Sequence, residues 1–79
     1  SVNFGEQKSI VFYPNPVNET LNIEMEEGYS LEIFNVAGIK VLETQTDKID
    51  VSKLESGAYF LVLKDEFGNA IGFEQFLKN

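Results

Sequence analysis

Short runs in which apolar and polar residues alternate, each ended by glycine, proline or an Asx residue, recur along this chain about every ten residues. That period of two is the strongest constraint on its fold. Thr20-Leu21-Asn22-Ile23-Glu24-Met25 shows it most cleanly, with Leu21, Ile23 and Met25 expected on a buried face and Asn22 and Glu24 in water. Before it, Ile10-Val11-Phe12-Tyr13 reads as a short strand stopped by Pro14-Asn15-Pro16, because proline cannot donate to a ladder and fixes its own φ. Glu26-Glu27-Gly28 turns the chain into Tyr29–Asn35, with Tyr29, Leu31 and Ile33 on one face and Phe34 on the other. A hairpin turn over Val36-Ala37-Gly38 leads to Ile39–Glu43, where Ile39 and Val41 are expected inward and Leu42 is the exception. Lys48–Val51 repeats the alternation in miniature, and Ser52–Gly57 is expected to bridge one sheet to the other with Leu54 plugging the core.

Ala58–Lys64 is apolar on both faces, as in a central strand covered on two sides, and Asp65–Asn69 makes the last hairpin loop before a final strand over Ala70–Lys78. These elements amount to about seven short strands in an all-β, antiparallel immunoglobulin-like β-sandwich. No segment carries helical periodicity. Leu54-x-x-Gly57-x-Tyr59 has the layout of a tyrosine corner, in which a phenol near a strand start bonds upstream backbone.

A chain of 79 residues is room for one thin core, so the expected stability is only about 4 to 12 kcal/mol. Phe34, Phe60, Phe73 and either Phe12 or Tyr13 are its natural fillers, leaving Phe67 and Phe76 exposed. The residues Ser1–Ser9 lack sustained periodicity and read as the end of a linker from an upstream cargo, with the domain spanning 10–79. The chain opens on Ser1 without a basic and apolar leader, and so reads as part of a longer protein whose signal peptide lies upstream. The longest apolar run, Ala58–Leu63, is far short of a membrane span, so no membrane insertion is expected.

Charge and residue inventory exclude most chemistry. The net charge is −7 and the basic residues are scattered lysines, an arrangement that repels nucleic acid. Histidine, cysteine and arginine are absent, which removes most acid–base and nucleophilic mechanisms, and the alternation places Glu24, Glu32 and Glu74 on solvent faces rather than in a cleft. No catalytic residue, cofactor or metal ligand is therefore assigned. Two alternative sites remain open to the sequence: loop oxygens for calcium from Asp47 and Asp50, or from Asp65, Glu66 and Asn69, and a sugar-stacking platform of Tyr13, Tyr29, Phe67, Phe73 and Phe76. Both describe a non-catalytic accessory module on a secreted enzyme. Asn18-Glu19-Thr20 also fits the glycosylation triplet, a pattern short enough to recur by chance.

Three segments carry a family resemblance. Tyr13-Pro14-Asn15-Pro16-Val17-Asn18-Glu19-Thr20-Leu21-Asn22-Ile23, then Ile33-Phe34-Asn35-Val36-Ala37-Gly38-Ile39-Lys40-Val41, then Ile49–Phe60 with Leu54, Gly57 and Tyr59 resemble, in order, the motifs of the type A C-terminal sorting domain of the type IX secretion system. The similarity covers Val11–Asn79. It implies a non-enzymatic address at the end of a cargo protein that folds in the periplasm and is recognised by an outer-membrane translocon and its shuttle. Cleavage by a sortase and release, or attachment at the cell surface, would then follow. The chain carries Gln75 where many members have a basic residue and Ile39 at a frequently basic hairpin site, while Lys40 and Lys78 are kept. Recognition is thus expected to rest on backbone and apolar side chains of the last strand. Gly72, Phe73, Phe76, Leu77 and Lys78 are the candidate residues, offered to a receptor sheet by β-augmentation if that strand lies at an edge; the alternative is that the strand is merely core, with Phe73 and Leu77 packed inward.

Overall fold

The alternating runs become seven strands in the computed structural model, which describes residues 10–79; the linker expected over 1–9 lies outside the described residues. The strands are β1 (Phe12–Tyr13), β2 (Thr20–Ile23), β3 (Ser30–Phe34), β4 (Lys40–Thr44), β5 (Lys48–Asp50), β6 (Gly57–Lys64) and β7 (Ala70–Lys78). A three-stranded sheet in the order β1-β2-β5 faces a four-stranded sheet in the order β4-β3-β6-β7, and every strand pair is antiparallel. This is an immunoglobulin-like sandwich whose fourth strand has joined the second sheet. No helix occurs among the described residues.

The core lies between the sheets. Leu21, Ile23 and Ile49 of the first sheet meet Leu31, Ile33, Tyr59, Leu61, Leu63 and Phe76 of the second, with Ile10, Val17 and Val51 closing the ends. Each strand contributes alternate residues, as a sheet with one dry face requires. Ser52–Ser56 crosses from β5 to β6 as expected: Leu54 packs against the core, and Gly57 takes φ 144°, a value rarely open to residues with a Cβ. The Tyr59 hydroxyl donates to the Glu55 carbonyl at 2.7 Å, which completes the tyrosine corner.

The two hairpin loops of the larger sheet share one design. In Asn35–Ile39 the Asn35 Oδ1 accepts the N–H groups of Ala37 and Ile39, and in Asp65–Asn69 the Asp65 Oδ1 accepts those of Phe67 and Asn69. In both, glycine at the fourth position takes a positive φ, 82° at Gly38 and 85° at Gly68.

Four expectations are corrected. On β4, Leu42 packs toward the core while Val41, like Ile39 just before the strand, is exposed, because Leu42 pairs with inward Ile33 ahead of a bulge at Ile33/Phe34. Glu32 does face outward, yet it is only 7% exposed, covered by Lys40 and Lys64, whose ammonium groups reach its Oε2 at 3.5 and 3.2 Å. The outer face of β6, with Phe60 and Val62, is half-buried rather than covered by a further layer. Last, the aromatic fillers differ: Phe76 is fully buried and stacked on Tyr59 with ring centroids 5.5 Å apart, whereas Phe73 is 57% exposed.

Candidate functional site

The last strand gathers the candidate recognition residues, and its pairing decides which of them a partner can touch. Tyr59 pairs with Phe76, Leu61 with Glu74 and Leu63 with Gly72, so Gly72, Glu74 and Phe76 take the inward parity while Phe73, Gln75 and Leu77 take the outward one. Phe76 is accordingly buried in the core, and Gly72, buried too, borders the outer face only through its backbone beside Val62, Ala70 and Phe73. Phe73 and Leu77 are exposed, Leu77 at 47%, and Lys78 is half-buried at the strand's end.

On the outer face of the four-stranded sheet these residues extend an apolar surface. Phe73 stacks on Phe60 with centroids 5.6 Å apart, Ala58 pairs with Leu77, and Phe34 pairs with Phe60. Val62, Ala70, Gly72 and Phe73 line a shallow groove of about 410 Å³ at the β7 margin. Across the sheet, Glu32, Lys40, Glu43 and Lys64 form a charged border; Lys40 bonds Glu43 at 2.8 Å, and that bond and charge raise the lysine pKa above its ordinary value and lower that of Glu43. The surface is therefore bounded by charge at β4 and open at β7.

The proline corner is joined to this strand. Asn15 Oδ1 accepts the Leu77 N–H at 2.9 Å, the Val17 N–H donates to the Leu77 carbonyl at 2.9 Å, and the Asn79 N–H donates to the Val17 carbonyl at 2.9 Å. Pro14 and Pro16 bracket Asn15, so the first motif of the resemblance clips the end of the last strand. Its other motif residues serve folding in the same way: Gly38 makes the β3–β4 turn, Lys40 caps Glu32, and Leu54, Gly57 and Tyr59 build the corner. Sequence reasoning missed the clip, whose partners lie 62 residues apart.

The other candidate sites do not assemble. Asp65 commits Oδ1 to two backbone N–H groups and Oδ2 to the Asn69 amide, and Asp50 Oδ1 accepts the Ser52 N–H. Among the described residues no group of three or more acidic side chains is placed to hold a metal ion. The aromatic residues of the supposed sugar platform scatter: Tyr13 lies on β1 of the smaller sheet, Phe67 on the β6–β7 loop and Phe76 in the core.

The family model for the secretion system C-terminal sorting domain matches residues 11–72, from just before β1 to the first part of β7. No match is found among curated proteins.

Proposed function

The chain belongs to the family of secretion system C-terminal sorting domains of type IX secretion, and from that premise we propose that Ile10–Asn79 is the folded, non-catalytic address by which an attached cargo is taken from the periplasm across the outer membrane. The family match over 62 residues (72 − 11 + 1) carries this reading. The translocon and its shuttle read the domain from outside, and a sortase acts afterwards to free the cargo or join it to the cell surface. The recognition element is β7, through Phe73 and Leu77 on its exposed face and Lys78 at its end; Gly72 and Phe76 support it from within.

A sandwich suits this task physically. An address shared by unrelated cargos must present its own surface, and an outward sheet face does so without depending on what precedes it. The domain's stability then matters as much as its sequence, because Phe73 and Leu77 share a face only while β7 stays paired to β6.

The test is a fusion of Ile10–Asn79 to a folded periplasmic reporter in a host that has a type IX system. The fusion is expected in the medium or on the surface, while the unfused reporter stays in the periplasm. Deleting residues 76–79 is a poor variant, since it removes the core residue Phe76. The double variant Phe73→Ser/Leu77→Ser keeps the core and is expected to leave a folded fusion in the periplasm. A wild-type fusion that folds but is never exported rejects the proposal.

A further inference from the structure

The two halves of the outer β7 edge differ. At Leu77 the N–H and C=O point away from β6, since they bond Asn15 and Val17. Backbone direction alternates along a strand, so Gln75 and Phe73 point their N–H and C=O groups the same way. Among the described residues no strand pairs with β7 on that side, and the bridge from Val17 reaches only Lys78. Phe73–Gln75 is thus an open edge with backbone donors and acceptors facing out.

Its surroundings specify an occupant. On the outer side, exposed Phe73 and the 410 Å³ groove at Val62, Ala70 and Gly72 offer apolar contact to a side chain arriving along the edge. On the inner side, Glu74 has no hydrogen-bond or ion-pair partner among the described residues. A second copy of the chain fits poorly. Every symmetric antiparallel register centred on Phe73, Glu74 or Gln75 sets the two Glu74 carboxylates opposite or diagonal to each other and joins two chains of charge −7.

We propose that Phe73–Gln75 accepts a short β-strand of a partner protein, one that lays apolar side chains beside Phe73 and Gln75 and a basic side chain opposite Glu74. The proposal rests on the sorting reading only for the partner's belonging to the export machinery; the edge, the groove and the unpaired carboxylate stand without it.

The probe is a blocked peptide, Thr-Val-Lys-Val-Thr, titrated into the labelled chain while amide exchange and shifts are followed by NMR. The Phe73 and Gln75 amides are expected to gain exchange protection as the peptide saturates, and a peptide with Glu for Lys to bind about two- to fivefold more weakly. Gln75→Pro removes the outward N–H without touching the β6 ladder and is expected to abolish the protection. Glu74→Lys, which keeps every backbone group, is expected to reverse the preference between the two peptides. Protection absent at Phe73 and Gln75, or rising with chain concentration alone as in self-pairing, overturns the proposal. The assay contains no export machinery. Normal export of a Gln75→Pro fusion would therefore overturn the edge as the machinery's site, whereas failure of the wild-type fusion would reject the sorting reading and leave the peptide result standing.

Discussion

Asn15 and Leu77 are joined by a 2.9 Å hydrogen bond from the Leu77 N–H to the Asn15 side-chain oxygen, so the first turn of the sandwich holds the end of its last strand. The bond is local chemistry with a long reach: Pro14 and Pro16 donate no N–H themselves, and the asparagine between them supplies the acceptor. Beyond it, Val17 brackets Lys78 with two backbone bonds, and its own side chain is fully buried.

Replacing Asn15 by alanine leaves the Leu77 N–H without its protein acceptor, at an exposed position where water can substitute. The expected loss is about 0.5 to 1.5 kcal/mol in urea unfolding, with faster exchange at the Leu77 amide as the local signature. An unchanged Leu77 exchange rate would show that the bond does not hold the strand end.

Tyr59→Phe removes only the hydroxyl that bonds the Glu55 carbonyl and keeps the ring against Phe76. A loss of about 1 kcal/mol is expected. Export of a fused reporter should be unaltered, because the hydroxyl faces the β5–β6 crossing and not the β7 surface. A variant as stable as the parent but no longer exported would assign Tyr59 to recognition instead of folding.

Phe76 and Phe73 lie three residues apart on one strand, yet the structure gives them opposite roles. Phe76→Ala empties a fully buried site beside Tyr59 and is expected to cost about 3 to 5 kcal/mol, a large part of the stability of so small a domain. Phe73→Ala trims an exposed ring and should stay within about 1 kcal/mol. Urea midpoints of the two variants decide it; similar losses would mean that Phe73 also belongs to the core.

The contrast shows what sequence alone made legible. On β2 the alternation is decisive, since Leu21 and Ile23 lie inward as it requires, whereas β6 is apolar at both parities and its sequence does not tell the buried face of Tyr59, Leu61 and Leu63 from the half-buried one of Phe60 and Val62. The β5–β6 crossing and the tyrosine corner followed from Leu54, Gly57 and Tyr59. On β4 and β7, however, apolar residues occupy both parities, and a register shift at Ile33/Phe34 or Leu63/Lys64 sets which face is buried. No residue within those strands announces the shift, so the sequence alone points Leu42 and Phe76 outward and Val41 and Phe73 inward, the reverse of what the fold does. Glu32 points outward as the alternation requires, but its cover comes from Lys40 and Lys64 on neighbouring strands, which no single strand's pattern contains; Glu74, expected on a solvent face, takes the inward parity opposite Leu61 instead. Of the five residues expected to serve recognition on β7, the pairing with β6 buries Gly72 and Phe76 and leaves Phe73, Leu77 and Lys78 within reach of solvent.

The β6–β7 turn makes folding sensitive to acid. Asp65 is held below its ordinary carboxyl value of 3.8 chiefly by the Asn69 N–H, with the Phe67 N–H adding to it. A carboxyl whose pKa is depressed in the folded state stabilises the fold at pH values above its unfolded pKa, and that contribution is lost as pH falls below 3.8 through the folded value. Asp50, lowered by the Ser52 hydroxyl and N–H, has the same sign. Acid also relieves the repulsion of a chain carrying −7, an opposing effect common to parent and variant. The measurement is therefore a difference: the urea midpoint of the parent minus that of Asp65→Ala, from pH 6 to below pH 3.8. The gap is expected to be steady down to the ordinary carboxyl value and to narrow below it. A gap that stays constant throughout would mean that the Asp65 charge contributes nothing to the turn.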